Sequence, residues 1–269
     1  MTTTSADTGP TRRERQRQAT YDEIVDVARQ LLRGGSEVSL RAVATEMGLT
    51  PPALYRYVDG AAALNALVTR QIFVDVVAAM AVARDEHPQD DPAAQIVAAA
   101  TAFRAWALGN HAEFRMVFAS PPTPGDDRHE HSFPLLAGAD ECAEGESLFT
   151  DFFGELFYRL WEQRHFPAPS RDQLEPGVVT RWESAGESPK ADLVRLFGDD
   201  GVGVLWLFEL AWARLYGIVT LEVFGHMDPQ LTSSGALFRA TILEIGTSLG
   251  MADDWERLRV IAGYPGDQA

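Results

Sequence analysis

The sequence is poor in cysteine and contains no segment typical of export or membrane insertion. Its single cysteine, Cys142, excludes an intramolecular disulfide and suits a reducing compartment. The N-terminal stretch MTTTSADTGPTRRERQRQ lacks the apolar core of a secretory signal. The most apolar run, VGVLWLFELAWA, is too short to cross a bilayer and includes Glu209. These absences predict a cytoplasmic protein without a membrane partner.

Motifs for catalysis and for metal or cofactor binding are also missing. No Ser/His/Asp spacing typical of a hydrolase stands out. The stretch GDDGVG at 198–203 follows no predicted strand and has the wrong glycine spacing for a phosphate loop. His129, Glu130 and His131 lie near Cys142, but their spacing is not diagnostic of a zinc site. We therefore expect no enzyme activity, no cofactor and no metal.

Basic residues are outnumbered by acidic residues in most of the chain but not at its N-terminus. The net charge is −16, yet residues 1–60 contain 8 basic and 8 acidic residues, so the remainder carries the whole excess. Within TRRERQRQAT, the four arginines Arg12, Arg13, Arg15 and Arg17 are opposed by Glu14 alone. Salt screens charges beyond about 8 Å, so local charge decides contact with a polyanion. The arginines are either a nucleic-acid contact or a solvated tail.

Apolar residues recur at helical spacing, and strand-like alternation is scarce. The first stripe predicts an amphipathic helix that stops at Gly34-Gly35. Its members are Tyr21, Ile24, Val25, Ala28, Leu31 and Leu32. A short helix is expected over 39–47, capped by Ser39, with Gly48 in a left-handed turn. Further helices are predicted at about 61–84, 91–108, 113–118, 148–163, 202–224 and 233–249, with irregular stretches at 120–147 and 166–198.

A double proline marks the start of another short helix, at Thr50 and Pro51. The first N–H groups of a helix have no intrahelical acceptor, so Pro51 and Pro52 lose little there. If Thr50 is the N-cap, its hydroxyl must accept from the Ala53 N–H, because Pro52 has none. Pro52 also biases Pro51 away from helical dihedrals, so Pro51 is the other candidate for the cap. Helix, turn at Gly48 and second short helix form the pattern of a helix-turn-helix.

Residues 15–77 resemble the DNA-binding domain of the TetR family of transcriptional regulators. The resemblance is carried, in order, by YDEIVDVARQLL, GG, SLRAVATEMGLTPPALYRYV and AALNALV. It implies an all-α fold with an N-terminal three-helix helix-turn-helix DNA-binding domain and a C-terminal helical ligand-binding and dimerisation domain. The expected division is a flexible basic arm at 1–14, the DNA-binding domain at 15–77, the effector and dimerisation domain at 78–250, and a tail at 251–269. WARLYG at 212–217 resembles a subgroup signature Trp-x-x-x-His-Gly, with Tyr216 in place of histidine.

The resemblance also assigns roles in DNA binding. Arg41 would reach a base edge, and Ser39 and Thr50 would face phosphates. Tyr55 and Tyr57 would touch the backbone, and Arg56 a phosphate or a base. The expected DNA-binding residues are therefore Ser39, Arg41, Thr50, Pro51, Pro52, Ala53, Tyr55, Arg56 and Tyr57. The family usually has a serine and then a phosphate-gripping lysine where this chain has Gly60 and Ala61, and the N-terminal arginines are expected to compensate.

Aromatic residues crowd the C-terminal half, where the resemblance implies a pocket for a small effector. The expected pocket residues are Phe103, Trp106, Phe114, Phe118, Phe149, Phe152, Phe153, Phe157, Trp161, Trp206, Trp212 and Tyr216. Each of these could instead be core. The expected dimer contacts are Leu215, Val219, Val223, Leu237, Ile242 and Ile245, with intramolecular core as the alternative.

The implied function is a homodimeric repressor released from a palindromic DNA operator by a small apolar or amphipathic ligand. In the alternative, the C-terminal domain binds a protein partner instead of a ligand.

Overall fold

The computed structural model describes residues 11–118, 141–183 and 194–264, and for residues 141–147 the backbone alone. Every regular element in these ranges is a helix, which confirms the predicted all-α class. The chain divides into two compact units, and the boundary lies between Ile72 and Phe73. The boundary expected at 77–78 is therefore five residues late. The helix that contains it, α4, runs from Gly60 to Asp85 and contributes residues to both units.

The N-terminal unit contains α1 (Arg12–Arg33), α2 (Leu40–Glu46), α3 (Pro51–Leu54) and the first half of α4. Its buried apolar side chains are all aliphatic: Ile24, Val25, Ala28, Leu40, Val43, Ala44, Leu54, Val58, Leu64, Val68 and Ile72. The helical stripes read from the sequence supply most of this core. A small core formed by α1, α2, α3 and the first half of α4 therefore holds α2 and α3 in place.

The expectation of a flexible arm is wrong from residue 11 onward, because α1 begins at Arg12. Thr11 caps this helix. Its backbone N–H donates to Glu14 Oε2 at 2.6 Å, and its Oγ1 accepts from the Glu14 N–H at 3.3 Å. This reciprocal capping box stabilises the first turn. The arginines at 12–17 are therefore exposed residues of a helix.

The C-terminal unit is built on five longer helices and several short ones. After the second half of α4 come α5 (Pro92–Gly109), α6 (His111–Phe118), α7 (Glu141–Arg164), α8 (Pro176–Glu183) and α9 (Gly201–Val223). They are followed by α10 (Pro229–Ser234), α11 (Ala236–Ser248) and α12 (Trp255–Ile261). Asp91 caps α5 as its sequence predicts, with its carboxylate accepting from the Ala94 N–H at 3.1 Å.

Three irregular segments of the sequence-based reading turn out to be partly helical. Helix α7 begins seven residues earlier than Leu148, α8 lies inside the stretch expected to be irregular, and α12 lies inside the expected tail. The tail prediction is wrong for a physical reason: Met251, Leu258 and Ala262 are buried, so this segment belongs to the core.

Ion pairs fasten the same C-terminal segment. Asp254 pairs with Arg164 of α7 and Arg257 with Asp91 at the start of α5. Arg257 also lies 3.4 Å from Asp254, so the four side chains form one network. Burial alone would raise the pKa of Asp254. The hydrogen bond from Arg164 and the positive charges of Arg164 and Arg257 together have the larger, opposite effect, so the pKa lies below its ordinary value.

Glycines at the start of α9 allow a close approach of two backbones. A Cβ on Gly203 would lie 2.1 Å from the carbonyl oxygen of Pro169, and one on Gly201 would lie 2.0 Å from that of Val194. No side chain fits at such distances. Gly201 and Gly203 therefore serve packing, whereas Gly198 adopts φ +66 without a close neighbour.

Within the described residues, two helices are long and apolar enough to cross a membrane by length and composition alone. They are Gly60–Asp85 and Gly198–Val223, with mean hydropathy of 1.7 and 1.5 in their most apolar windows. The helix that contains Glu209 is therefore long enough to span a bilayer, contrary to the prediction from its most apolar run. Core helices of soluble proteins share both properties, so the finding is weak evidence for a span. Half of the second window is buried within this unit.

Candidate DNA-binding surface and candidate ligand cavity

The turn between α2 and α3 has the conformation predicted for a helix-turn-helix. Gly48 adopts φ +66, which disfavours residues with a side chain. The Leu49 N–H donates to the Ala44 carbonyl at 2.8 Å and closes the turn. At the other end of α2, Ser39 Oγ accepts from the Ala42 N–H at 3.3 Å, as its predicted capping role requires.

The start of α3 settles the question of its cap. Thr50 has extended dihedrals and Pro51 is the first helical residue, so Thr50 is the N-cap. Its hydroxyl makes no capping bond, contrary to the expectation. The Thr50 carbonyl instead accepts from the Ala53 N–H at 2.9 Å. The Thr50 hydroxyl is therefore not committed to capping α3.

Most of the predicted DNA-binding residues lie on the surface of the N-terminal unit. Tyr55 is 55% exposed, the highest value among the large apolar or aromatic residues of this unit. Arg41, Thr50, Pro51, Pro52 and Arg56 are exposed as well, whereas Ser39, Ala53 and Tyr57 are half-buried. Leu54 and Val58, predicted to face inward, are buried. The short helix thus turns one face to the core and leaves the other open.

Tyr57 is braced by a residue whose part the sequence analysis missed. The Tyr21 hydroxyl donates to the Tyr57 carbonyl at 3.0 Å, and the two rings meet edge-on with centroids 5.8 Å apart. Arg17 donates to the same hydroxyl at 3.1 Å, and this hydrogen bond raises the pKa of Arg17 above its ordinary value. A tyrosine in an otherwise aliphatic stripe is the signal that could have indicated this contact.

Gly60 explains why the chain departs from the family pattern. It adopts φ +92 at the first position of α4, where a serine would be strained. The next residue, Ala61, is exposed and carries no charge. Ala61 therefore offers no cation at this position, and compensation by the exposed arginines of α1 stays a prediction.

The C-terminal unit contains an apolar cavity. Its volume is about 60 Å³, measured as the space open to the centre of a water-sized sphere. The wall comes from α5, α7, α9, α11 and the residues that follow α11. The lining residues are Ile96, Val97, Ala100, Phe153, Phe157, Phe208, Ala211, Trp212, Leu215, Ile242, Ile245, Leu249 and Met251.

Only three of the twelve residues expected to line a pocket line this cavity: Phe153, Phe157 and Trp212. For the other nine the expectation is wrong as far as this cavity is concerned, because their rings pack on other side chains. These nine are Phe103, Trp106, Phe114, Phe118, Phe149, Phe152, Trp161, Trp206 and Tyr216. Phe103, for example, has ring centroids of Phe149 and Phe118 at 5.3 and 5.5 Å.

The wall that the sequence analysis missed is mainly aliphatic. Ile96 and Val97 of α5 lie four and three residues before Ala100, and Phe208, Ala211 and Leu215 of α9 follow one another at intervals of three and four residues. This spacing places each set on one helix face. A search for facing aliphatic stripes, instead of clustered aromatics, would have indicated them.

Five of the six residues expected at a dimer interface are core residues of the single chain. Leu215, Val219, Val223, Ile242 and Ile245 are buried without any partner subunit, so the expectation is wrong for them. Leu215, Ile242 and Ile245 line the cavity. The sixth, Leu237, is 39% exposed, and Leu221 on α9 is 44% exposed.

A buried ion pair ties α5 to α9. Arg104 donates to both carboxylate oxygens of Glu222, from Nε at 2.6 Å and from Nη2 at 3.0 Å. The Glu222 side chain is inaccessible to solvent, and Arg104 also donates to the Thr232 carbonyl at 2.6 Å. Arg104 and Glu222 are thereby committed to each other.

No group of three or more His, Cys, Asp or Glu residues that could hold a metal occurs in the described parts of the chain. His129, Glu130 and His131 lie outside the described residues. The side chain of Cys142 is likewise not described.

Comparison with known proteins decides the family. Residues 96–245 match a family model described as the tetracyclin repressor-like C-terminal domain, which covers more than half of the chain. The chain belongs to the TetR family. Its N-terminal helix-turn-helix is the part that the family resemblance had already indicated, and the match now extends the assignment to the C-terminal unit.

Relatives of this TetR-family protein carry names of the same kind. The HTH-type transcriptional regulator Mb1846 of Mycobacterium bovis is 29% identical over 232 residues, which cover 81% of this chain and 87% of the relative. Rv1816 of Mycobacterium tuberculosis, also named an HTH-type transcriptional regulator, has the same identity and coverage. The crystal structure of SCO4313, described as a regulatory protein, superposes with a TM-score of 0.54 at 24% identity. It covers 87% of this chain and 98% of that one, and supports the fold.

These matches establish a TetR-type, DNA-binding transcriptional regulator of the helix-turn-helix class, and not an enzyme. Regulators of this family are generally soluble. The cytoplasmic location, the subgroup with the Trp-x-x-x-His-Gly signature, the operator, the effector, the dimer and the DNA-binding residues stay predictions.

Proposed function

We propose that the protein is a homodimeric repressor that binds a palindromic operator through α3 and is released by a small apolar or amphipathic ligand. The observation that carries this proposal is the apolar cavity inside the C-terminal unit. A well-formed apolar cavity with few polar groups is the default binding site of a protein. Most of the residues that line the cavity lie within residues 96–245, the segment that matches the family's C-terminal domain, and this supports an effector site.

The N-terminal unit supplies the features that DNA reading requires. The major groove admits a helix whose exposed side chains reach base edges, and a bidentate arginine–guanine pair is the commonest specific contact. Arg41, Tyr55 and Arg56 are exposed on or beside α2 and α3. The α1 arginines add sequence-independent attraction to phosphates.

The proposed dimer face consists of the exposed positions of α9 and α11. Leu221 and Leu237 are the large apolar residues there, and Ala213 on α9 is exposed as well. Two-fold pairing through this face would present two copies of α3 to half-sites separated by one helical turn, about 34–36 Å, or a multiple of it. Leu237→Glu and Leu221→Glu should shift the protein toward monomer in light-scattering measurements.

Ligand release follows from differential binding to two conformers. A ligand shifts the equilibrium only as far as it prefers one conformer over the other. Moving a population from 1:99 to 99:1 takes a preference of about 10⁴-fold. Helix α4 contributes residues to both units, so we propose it as the element that passes the change from the cavity to the DNA-binding unit.

The test begins with selection of bound fragments from genomic DNA, which supplies the operator. Operator binding is then measured by fluorescence anisotropy while solvent extracts and single apolar compounds are added. Release by a compound that binds the protein supports the proposal. Operator binding that no bound compound alters would contradict it and would favour the alternative, a C-terminal unit that binds a protein partner.

A cavity-filling variant separates the effector site from the fold. Ala100 lines the cavity, and Ala105 on the same helix is exposed. Ala100→Leu should keep operator binding and weaken the response to the ligand, because the added side chain occupies the site. Ala105→Leu makes the same chemical change outside the cavity and should leave the response intact.

A further inference from the structure

The cavity wall is apolar to an unusual degree, and this limits the charge of anything it binds. None of its thirteen lining residues is ionisable. An ion moved into such surroundings loses its hydration and gains no partner, which costs several kcal/mol or more. A charged ligand is therefore strongly disfavoured in the part of the cavity that the described residues enclose.

One lining residue carries a strong hydrogen-bond donor. Trp212 is 4% exposed, and its ring packs against Phe149 and Tyr216 with centroids 5.2 and 5.6 Å away. Within the described ranges, no oxygen or nitrogen accepts a hydrogen bond from Trp212 Nε1. A buried donor without a partner is rare, and leaving it unpaired costs about 1–3 kcal/mol.

The neighbouring polar groups do not offer a substitute. Tyr216 donates its hydroxyl to the Phe118 carbonyl, and Arg104 is held by Glu222 and the Thr232 carbonyl. Among the thirteen lining residues, Trp212 is thus the one whose side chain carries a strong donor, and the sulfur of Met251 is only a weak acceptor.

We propose that the cavity binds an uncharged ligand with an apolar body and one oxygen acceptor, such as a ketone or ester carbonyl, that accepts a hydrogen bond from Trp212 Nε1. The ligand completes the unmet hydrogen bond and fills the remaining volume with carbon. This inference rests on the proposed function, because it names the chemical class of the effector for the same site.

Three matched probes test the inference without DNA. They are 4-phenyl-2-butanone, butylbenzene and 3-phenylpropanoate, which share a phenylethyl body and differ in a carbonyl, a methylene or a carboxylate. Binding to the full-length protein is followed in ¹⁵N-labelled samples through the tryptophan indole resonances. The Trp212 resonance is identified by its loss in Trp212→Phe.

The ketone should move the Trp212 indole resonance and bind more tightly than the carboxylate by at least about tenfold. Trp212→Phe should weaken the ketone by about twofold to tenfold and leave butylbenzene nearly unchanged, since one hydrogen bond is lost. Trp206→Phe is the matched control. Trp206 packs on Trp182 at 6.4 Å and does not line the cavity, so this change should affect neither probe.

The inference is overturned if none of the probes binds, if the carboxylate binds best, or if Trp212→Phe weakens the ketone and butylbenzene equally. Butylbenzene also reports whether the variant keeps its fold, because its binding needs the cavity and not the N–H. Ketone binding with the expected resonance shift but no release of operator leaves the inference standing and refutes the proposed function.

Discussion

The cores of the two units are filled by different kinds of side chain. In the N-terminal unit every buried apolar residue is aliphatic, and the tyrosines Tyr21, Tyr55 and Tyr57 are half-buried or exposed. In the C-terminal unit, phenylalanine and tryptophan fill much of the interior around residues such as Phe103 and Phe149. The described aromatic side chains of the first unit therefore reach its surface, whereas the second unit encloses most of its rings.

This difference suits two kinds of recognition. A DNA groove is read by side chains that project from a fixed backbone, and a small aliphatic core is enough to fix α2 and α3. In the function proposed above a small molecule is instead enclosed, which requires an interior that is close-packed in one place and incompletely filled in another. The ring cluster around Phe103 and the cavity beside Phe157 and Trp212 are those two places.

The largest effect is expected at the exposed surface of the first unit. Arg41→Ala or Tyr55→Ala should abolish operator binding, because a good side-chain contact to DNA contributes about 1–3 kcal/mol and a dimer makes it twice. Anisotropy titrations measure the loss, and circular dichroism checks that the fold persists. Arg181→Ala removes an exposed arginine from the other unit and is the matched control. Unaltered binding by both variants would count against the assigned surface.

The interior of the second unit provides the next largest effect. Phe103→Ala should lower the free energy of unfolding by about 3–5 kcal/mol, since it removes a ring from a close-packed cluster. Phe157→Ala should cost less, because this ring borders space that is already empty. Denaturant unfolding compares the two. Equal losses would mean that the cluster and the cavity wall are packed alike.

A smaller effect is expected from the arginines of α1. Replacing Arg12 and Arg13 by glutamine should flatten the dependence of operator affinity on salt, because each phosphate contact contributes about 0.9 to the slope. Up to four contacts per dimer are at stake. The double variant Arg181→Gln/Arg195→Gln, exposed and in the second unit, should leave the slope unchanged. An unchanged slope in the α1 variant would identify its arginines as a solvated helix end.

The smallest effect concerns the ion pairs that hold the C-terminal segment. The pKa of Asp254 is lowered in the folded protein, so its stabilising contribution is present above the ordinary carboxyl pKa of 3.8 and is lost as the pH falls below that value. Asp254→Asn should therefore reduce stability near neutral pH by up to about 1 kcal/mol and have less effect in acid. Urea unfolding at several pH values measures this. A loss that is the same at every pH would point to packing instead of charge.

The sequence predicted the first unit more closely than the second, for a physical reason. Small aliphatic stripes, a capping serine and a glycine at a positive φ are local signals, so α2, its turn and α3 were placed within about a residue. The capping box of Thr11 and Glu14 is equally local and could have been read. A cavity is different, because it is defined by the atoms that are absent between helices far apart in sequence. Residue type does not distinguish a ring such as Phe103, which is fully enclosed, from Phe157, which borders open space.

Met251 is the last residue of the cavity wall in chain order, so the cavity is completed late in synthesis. Ribosomes add roughly 5–20 residues per second, so about 10 to 35 s separate the synthesis of Ile72 from that of Met251. During this interval the growing chain contains the whole N-terminal unit, while the wall of the cavity is still incomplete. In the function proposed above, a product arrested before α9 would keep the helix-turn-helix but would lack both the effector site and the surface through which two copies pair.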